Sequence, residues 1–391
     1  MAKILLANHW GGGTGHARRF RAIASALKAH GHQPLLALPD LVAAEPVLAD
    51  VDYPVLQGPF WRGRAVKRKL TRNFTDILAS HGLAEPRVFL PMARGWNTLL
   101  ETLKPDLVVA DYAPVLQIVA RGRRPCVALG APFCVPQAQG EDFPDLNPDA
   151  PPAFEAGKIL ELVNPWLQNR GVETLDNLPQ LYPAQTSFAF GLPELDPYRD
   201  VGRLHPVRPL PRTCAEALGA APATSDVGVF AYLSARHKPS MRLLVRLARS
   251  GIAVRCFLRD GNREVAGKLR SVDVEVCDQP VPIAEALASA HAYLHHGSGT
   301  AADDGLLLGR PQLCMPVDLE KRLISEVLVN MGVGLNLRAS DEVEQLPQQV
   351  RDFCLADASH ERAQTVAREF NGRFTEDPMP DLIAAFERIM A

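Results

Sequence analysis

Twice in this chain a short apolar run ends in a glycine-rich turn and passes directly into helix-period spacing. Residues 3–7 lead into Gly11, Gly12, Gly13, Thr14, Gly15 and His16, after which Phe20, Ile23, Ala24 and Leu27 fall on one buried helix face. Residues 290–294 lead into His295, His296, Gly297, Ser298, Gly299 and Thr300, with a helix predicted over 301–308. Other strands are predicted at 34–38, 106–110 and 125–129, with a helix over 115–120. A second series follows, with strands at 226–233, 252–258, 272–277, 292–295 and 312–317 and helices at 241–249, 283–288 and 323–331. Strands separated by helices mean parallel sheets covered on both faces. The fold class is therefore α/β, with two Rossmann-like doubly wound domains expected to face a central cleft.

The length of 391 residues suits two domains with a core each. The segment 206–224, which holds Pro206, Pro209, Pro211 and Pro222, reads as the linker, and the acidic, proline-rich 141–152 as a long loop. The expected division is 1–210, 222–375 and a last helix within 376–391 that returns to the first domain. A net charge of -2 argues against a nucleic-acid partner bound through bulk electrostatics. Seven cysteines without a CxxC spacing suggest reduced thiols, and no apolar run has the length of a membrane span or signal peptide. A cytoplasmic protein is expected.

The turn at 295–300 has the composition of an anion site. A strand-to-helix turn aims backbone N–H groups and the positive end of a helix dipole at one spot. Glycines allow close approach, Thr300 adds a hydroxyl, and His295 and His296 add donors. A diphosphate is the expected ligand. The ordinary structural reading of the same residues is a helix start in which Thr300 and Asp303 form a capping box.

The first glycine turn fails as a dinucleotide fingerprint. Counting from Gly11 or Gly13 puts His16 or Arg18 where the third, small residue must stand, so a dehydrogenase is not expected. Arg18 and Arg19 lie in the first turn of a helix, against its dipole, at about 0.3–1 kcal/mol each. Either they point into water, or Gly13, Thr14, Gly15, Arg18 and Arg19 together contact an anion. His16 reads as a catalytic base, or as a structural donor to a nearby carbonyl. Asp50 and Asp52 have DxD spacing, but they are far in sequence from the phosphate loop and read as a surface pair, so no metal is expected.

These residues together resemble the bacterial UDP-glycosyltransferase superfamily, enzymes of the GT-B fold. The resemblance rests on Gly15-His16, on Asp111 at the end of a DLVVAD strand, and on Gln279-Pro280 before the 295–303 signature. Gly309-Arg310-Pro311 and Pro316 with Glu320 complete it. It implies an inverting, metal-independent hexosyltransferase without a cofactor, using a nucleotide sugar (UDP or dTDP) and an acceptor hydroxyl. It also implies His16 as base, Asp111 as its orienting partner and 295–300 around the diphosphate. Gln279 and Val281 would meet the base, Asp303 or Asp304 the ribose (the register leaves both open), and Glu320 and Lys321 the sugar. Lys321 stands where the family has glutamine, which implies altered sugar contacts or an anionic sugar.

The acceptor side is expected in the first domain, from Trp61, the 62–72 region, residues 89–96 and the 141–152 loop. Arg62, Arg64, Lys67, Arg68, Lys69 and Arg72 read as a solvated basic face, or as contacts to an anionic or lipid-linked acceptor at the periphery of a membrane. Two other functions fit the same residues. One is a nucleotide-sugar hydrolase, whose Gly-x-Gly-His-x-x-Arg start residues 13–19 also resemble. The other is a non-catalytic nucleotide-sugar-binding protein.

Overall fold

The computed structural model describes the chain except residues 12–13, 62, 64, 66–69, 137–139, 152–153, 202, 204–206, 209–217, 219–226, 338–344 and 374–376. Two compact units are found, Met1–Leu210 with Asp377–Ala391, and Pro211–Glu376. Most of the predicted linker lies outside the described residues.

The first unit contains strands β1 (Lys3–Asn8), β2 (Gln33–Leu38), β3 (Val55–Gln57), β4 (Leu107–Asp111), β5 (Cys126–Gly130) and β6 (Ser187–Ala189). Its helices are α1 (Gly15–Ala29), α2 (Leu41–Leu48), α3 (Phe74–Ser80), α4 (Pro86–Leu103), α5 (Pro114–Ala120) and α6 (Ala156–Gln168). The sheet is parallel, in the order β3-β2-β1-β4-β5-β6. Strand order therefore reverses between β1 and β4, and in such sheets ligands bind outside the carboxyl ends at the reversal. The register pairs Asn8 with Asp111 at that edge.

The second unit repeats the plan with β7 (Gly228–Ser234), β8 (Ala253–Arg259), β9 (Val274–Cys277), β10 (Ala292–His295), β11 (Gln312–Cys314) and β12 (Gly334–Asn336). Its helices are α7 (Lys238–Arg249), α8 (Arg263–Arg270), α9 (Ile283–Ala288), α10 (Gly299–Leu308), α11 (Leu319–Asn330), α12 (Leu346–Leu355) and α13 (Asp357–Arg373). The order β12-β11-β10-β7-β8-β9 places this unit's reversal between β10 and β7, where His295 pairs with Tyr232.

Burial follows the sequence pattern. Ala17, Phe20, Ile23, Ala24 and Leu27 of α1 are buried against Ile4, Leu6, Leu36, Leu107 and Val127 of the sheet. The last helix, α14 (Met379–Met390), belongs to the first unit, and Met379, Leu382, Ile383 and Phe386 join the same core. Their i, i+3, i+4, i+7 spacing forms one apolar stripe, and the Phe386 ring meets Phe188 edge-on at 6.3 Å. Among the described residues no helix is long and apolar enough to cross a membrane.

Because Phe386 is fully buried, its replacement by alanine removes a large apolar contact and leaves a cavity. Phe386→Ala is expected to destabilise the first unit by about 3–5 kcal/mol. Urea unfolding followed by a fluorescence probe in that unit checks this. An unshifted midpoint would mean that α14 does not hold the core.

Candidate active site

At the carboxyl edge of the first sheet, Asn8 ties the two strand exits together. Its amide donates to Trp10 O at 2.6 Å and to Asp111 O at 2.9 Å. Trp10 N–H donates to Tyr112 O at 3.1 Å, and Tyr112 takes a left-handed φ of 51°, rare for an aromatic residue. Helix α1 begins one turn beyond, with Thr14 as a cap that makes no side-chain hydrogen bond and no acid in its first turn. His16 is thereby presented at a helix start, and its Nδ1 lies 2.9 Å from Asp111 Oδ2.

Asp111 is fully buried, and Gly130 allows it to be so, since a Cβ there would stand 2.9 Å from Asp111 Oδ1. Burial alone would raise the carboxyl pKa. The charges of Arg19 and His16 and their hydrogen bonds outweigh it, and the group lies below the usual carboxylate range. The other face of the imidazole is shaped by Gly11, at φ +100°, where a Cβ would stand 2.4 Å from His16 Nε2. Any side chain at position 11 would occupy the space beside that nitrogen. The His16 side chain keeps 17% of its surface exposed, so the Nδ1 side is anchored while solvent still reaches the ring.

The structure thus brings His16 and Asp111 together as the sequence implied, and it corrects the role expected of Arg19. Its Nη1 donates to Asp111 Oδ2 at 2.5 Å, so the partner the structure gives this guanidinium is a carboxylate of the protein. Arg18 is exposed, Thr14 and Gly15 are half-buried, and Gly13 lies outside the described residues. Around them stands an aromatic group that the sequence reading missed. Trp10 packs on His81 at 4.3 Å and edge-on against Tyr112 at 5.4 Å. His9 is buried against Trp96, and burial pushes its pKa down to about 3. The signal was the His9-Trp10 pair directly after the first strand.

In the second unit the loop after β10 is held by its own histidines. His295 Nδ1 accepts the Gly297 N–H at 2.8 Å, and its Nε2 faces Gln312 Oε1 at 2.8 Å. His296 Nδ1 faces Met315 O at 2.9 Å, and its Nε2 accepts the Ser234 N–H at 3.1 Å, joining the exits of β10 and β7. Burial holds both imidazoles down at about 4. The expectation that they offer N–H donors to an anion therefore fails. All four ring nitrogens are engaged within the protein, and the rings position the backbone.

The backbone itself is well placed. Gly297 takes φ +83° and packs so closely that a Cβ would lie 2.7 Å from Lys321 O. Ser298 caps α10 without a side-chain hydrogen bond, and Gly299 and Thr300 are its first residues. The helix starts before Thr300, so Ser298 and not Thr300 stands at its cap position. An α10 N-terminus uncapped by Ser298 presents main-chain donors and the positive dipole end. Asp303, buried, and Asp304, half-buried, lie one turn beyond Thr300 on its side of the helix. Gln279 is exposed, and Val281 packs half-buried on the Leu287 and Tyr293 cluster.

At the start of α11, Asp318 accepts the Lys321 N–H at 3.1 Å and pairs with Lys321 Nζ at 2.5 Å, with Glu320 3.7 Å from the same ammonium. Lys321 is thus neutralised by two carboxylates, which argues against the anionic sugar that its substitution for glutamine implied. Arg259 and Lys321 both act on His296 electrostatically, so cations flank the loop. Asp318, Arg259 and Ser234 were missed by the sequence reading; each sits at or just after a strand end. The DxD-spaced Asp50 and Asp52 bind cations of α1, Arg21 at 2.7 Å and Lys28. Of the predicted basic run, Arg72 pairs with Asp145 at 2.7 Å, whereas Arg62, Arg64, Lys67, Arg68 and Lys69 lie outside the described residues.

The search against protein-family models found no match, and no curated protein matches the chain. Solved structures do match in fold. The kitacinnamycin glycosyltransferase aligns with a TM-score of 0.67 and 18% identity, over 100% of this chain and 99% of that one. The calicheamicin glycosyltransferase CalG4 gives 0.65 and 20%, over 99% and 98%. The glycosyltransferase VinC, solved in complex with dTDP, gives 0.65 and 16%, over 99% of both chains. With its two six-stranded parallel sheets flanked by helices, this chain has the GT-B fold of those glycosyltransferases.

The buried histidines make a stability prediction. Their folded pKa of about 4 lies below the unfolded value of 6.5, so below about pH 6.5 the unfolded state binds protons that the native state does not. The stability of the second unit is expected to be full above that pH, to fall as pH drops from about 6.5 to 4, and to level off below. Denaturant midpoints measured across this range test it, and a flat profile would contradict neutral, buried rings.

Proposed function

We propose that this protein is an inverting, metal-independent glycosyltransferase that moves a sugar from a nucleoside diphosphate to an acceptor hydroxyl. The observation that carries this reading is the 2.9 Å approach of His16 Nδ1 to the buried Asp111 carboxylate, at the strand-order reversal of the first sheet. Asp111 holds the proton on Nδ1 and leaves Nε2, beside Gly11, to accept one. The GT-B likeness and the dTDP bound in VinC support a UDP or dTDP donor.

In the reaction, the acceptor oxygen attacks the anomeric carbon and its proton passes to His16 Nε2. The bond from the anomeric carbon to the phosphate oxygen breaks, and the diphosphate leaves with the electron pair. One displacement inverts the configuration. The leaving charge is met by the main-chain N–H groups that open α10 and by Thr300. Charge-assisted hydrogen bonds of this kind contribute about 1.5–3 kcal/mol each, enough in combination to do what a divalent ion does elsewhere. Asp303 or Asp304 would take the ribose hydroxyls, Gln279 and Val281 the base, and Glu320 the sugar. Lys321 would orient that carboxylate.

Three variants test the division of labour. His16→Ala is expected to lower transfer by about 10²–10⁴-fold while UDP or dTDP affinity stays near wild type. Thr300→Val and Gly297→Ala should weaken nucleotide binding instead, the latter because its Cβ meets Lys321 O. Calorimetric titration of the nucleotide beside initial rates reads both properties, and equal loss of affinity in all three rejects the assignment. Donors are found by thermal shift, since a ligand bound only by the native state raises apparent stability. Rapid release of free sugar without acceptor identifies a hydrolase. Nucleotide binding with no turnover of any donor identifies a binding protein.

A further inference from the structure

We propose that Arg19 is a positioning residue, the fixed counter-ion of Asp111, and that its charge tunes how readily the His16 imidazole takes up a proton. The inference deepens the transferase reading and rests on it only for its functional meaning.

Asp111 Oδ2 carries both partners, Arg19 Nη1 at 2.5 Å and His16 Nδ1 at 2.9 Å. Its Oδ1 lies against Gly130 and makes no hydrogen bond among the described residues. The carboxylate is sealed from water, and the Arg19 side chain is only 9% exposed. A buried carboxylate paired with an imidazole alone favours the imidazolium. A guanidinium on the same oxygen cancels the carboxylate charge, and because arginine stays protonated at every working pH the cancellation is permanent.

The placement fits this role. Arg19 is three residues after His16 on α1, hence on the same face. It is the fifth residue of α1, near the end where the dipole disfavours a cation, and the Asp111 contact offsets that disadvantage. Among the described residues Asp111, at the end of β4, pairs with His16, and Arg19 on α1 reaches the same carboxylate oxygen. Arg18, its other basic neighbour on α1, is exposed to solvent. At the same sheet edge His9 is neutral, held at about 3 by burial, while His81 and Tyr112 pack on Trp10.

The test is an NMR titration of the His16 ring nitrogens in the full chain, in wild type, Arg19→Met and Arg19→Lys. Arg19→Met is expected to raise the His16 midpoint by at least about 1 pH unit, because losing the cation on the carboxylate that faces the ring favours the imidazolium. Arg19→Lys keeps the charge and should titrate close to wild type. An unchanged or lowered midpoint in Arg19→Met overturns the proposal, and so does a lysine variant that shifts as far as methionine. If Arg19→Met does not fold, the Asp111 carboxyl carbon of wild type is followed through the His16 titration. It should remain ionised throughout, and its protonation there overturns the proposal. These readouts need no turnover, so they stand even if no nucleotide sugar is a donor. If His16→Ala abolishes transfer while the titrations fail, only the role of Arg19 falls. Where transfer is measurable, the acid limb of kcat/KM should move up in pH with the titration.

Discussion

The buried charge of Asp111 is the constraint from which the rest of the first site follows. A carboxylate removed from water is strongly unfavourable unless it is compensated by hydrogen bonds and opposite charge. Here the compensation comes from one helix, through His16 and Arg19, while Asn8 fastens the Asp111 backbone to the neighbouring strand exit and Gly130 makes room for the second oxygen. The α1 N-terminus is therefore tied to the end of β4 by charge as well as by the apolar packing of Phe20 and Ile23. A base held this way needs no rearrangement to present Nε2.

The second unit uses the same topological position for different chemistry. Its two histidines at the strand-order reversal are buried, neutral and fully hydrogen-bonded, so they shape the main chain instead of reacting. His295 fixes the Gly297 N–H, His296 bridges to Ser234, and the absence of a side chain at Gly297 lets the loop lie on Lys321 O. What remains for a ligand is backbone at a helix start, a donor set that needs no side-chain ordering and that anions favour. One unit holds an ionic dyad and the other a backbone cradle. A doubly wound sheet accommodates both because its loops vary while its strands do not.

Much of this was legible in the chain. Apolar runs located β1, β4 and β10, helix-period spacing located α1, and the glycine turn after β10 marked the start of α10, because packed strands and helices must hide their apolar faces. The positions of His16 and Asp111 at element ends followed from the same patterns once the family resemblance assigned their roles. Four helices of the first unit, α2, α3, α4 and α6, lie where no helix was predicted. Pro91 inside α4 and Pro165 inside α6 interrupt the local signal, and it is packing of Phe89, Trp96, Val163 and Leu167 that keeps those helices formed.

What the sequence determined by itself was the alternation of elements, the glycine turns and the identity of the groups at strand ends, since these depend on neighbours within one or two turns. What only the tertiary structure decided was who partners whom. Arg19 reads locally as a cation awaiting an anion, yet a residue 92 positions away claims it. His295 and His296 read as donors until Gln312, Met315 and Ser234 take their nitrogens. Protonation state and hydrogen-bond capacity are set by burial and by contacts between distant segments, which no local pattern encodes.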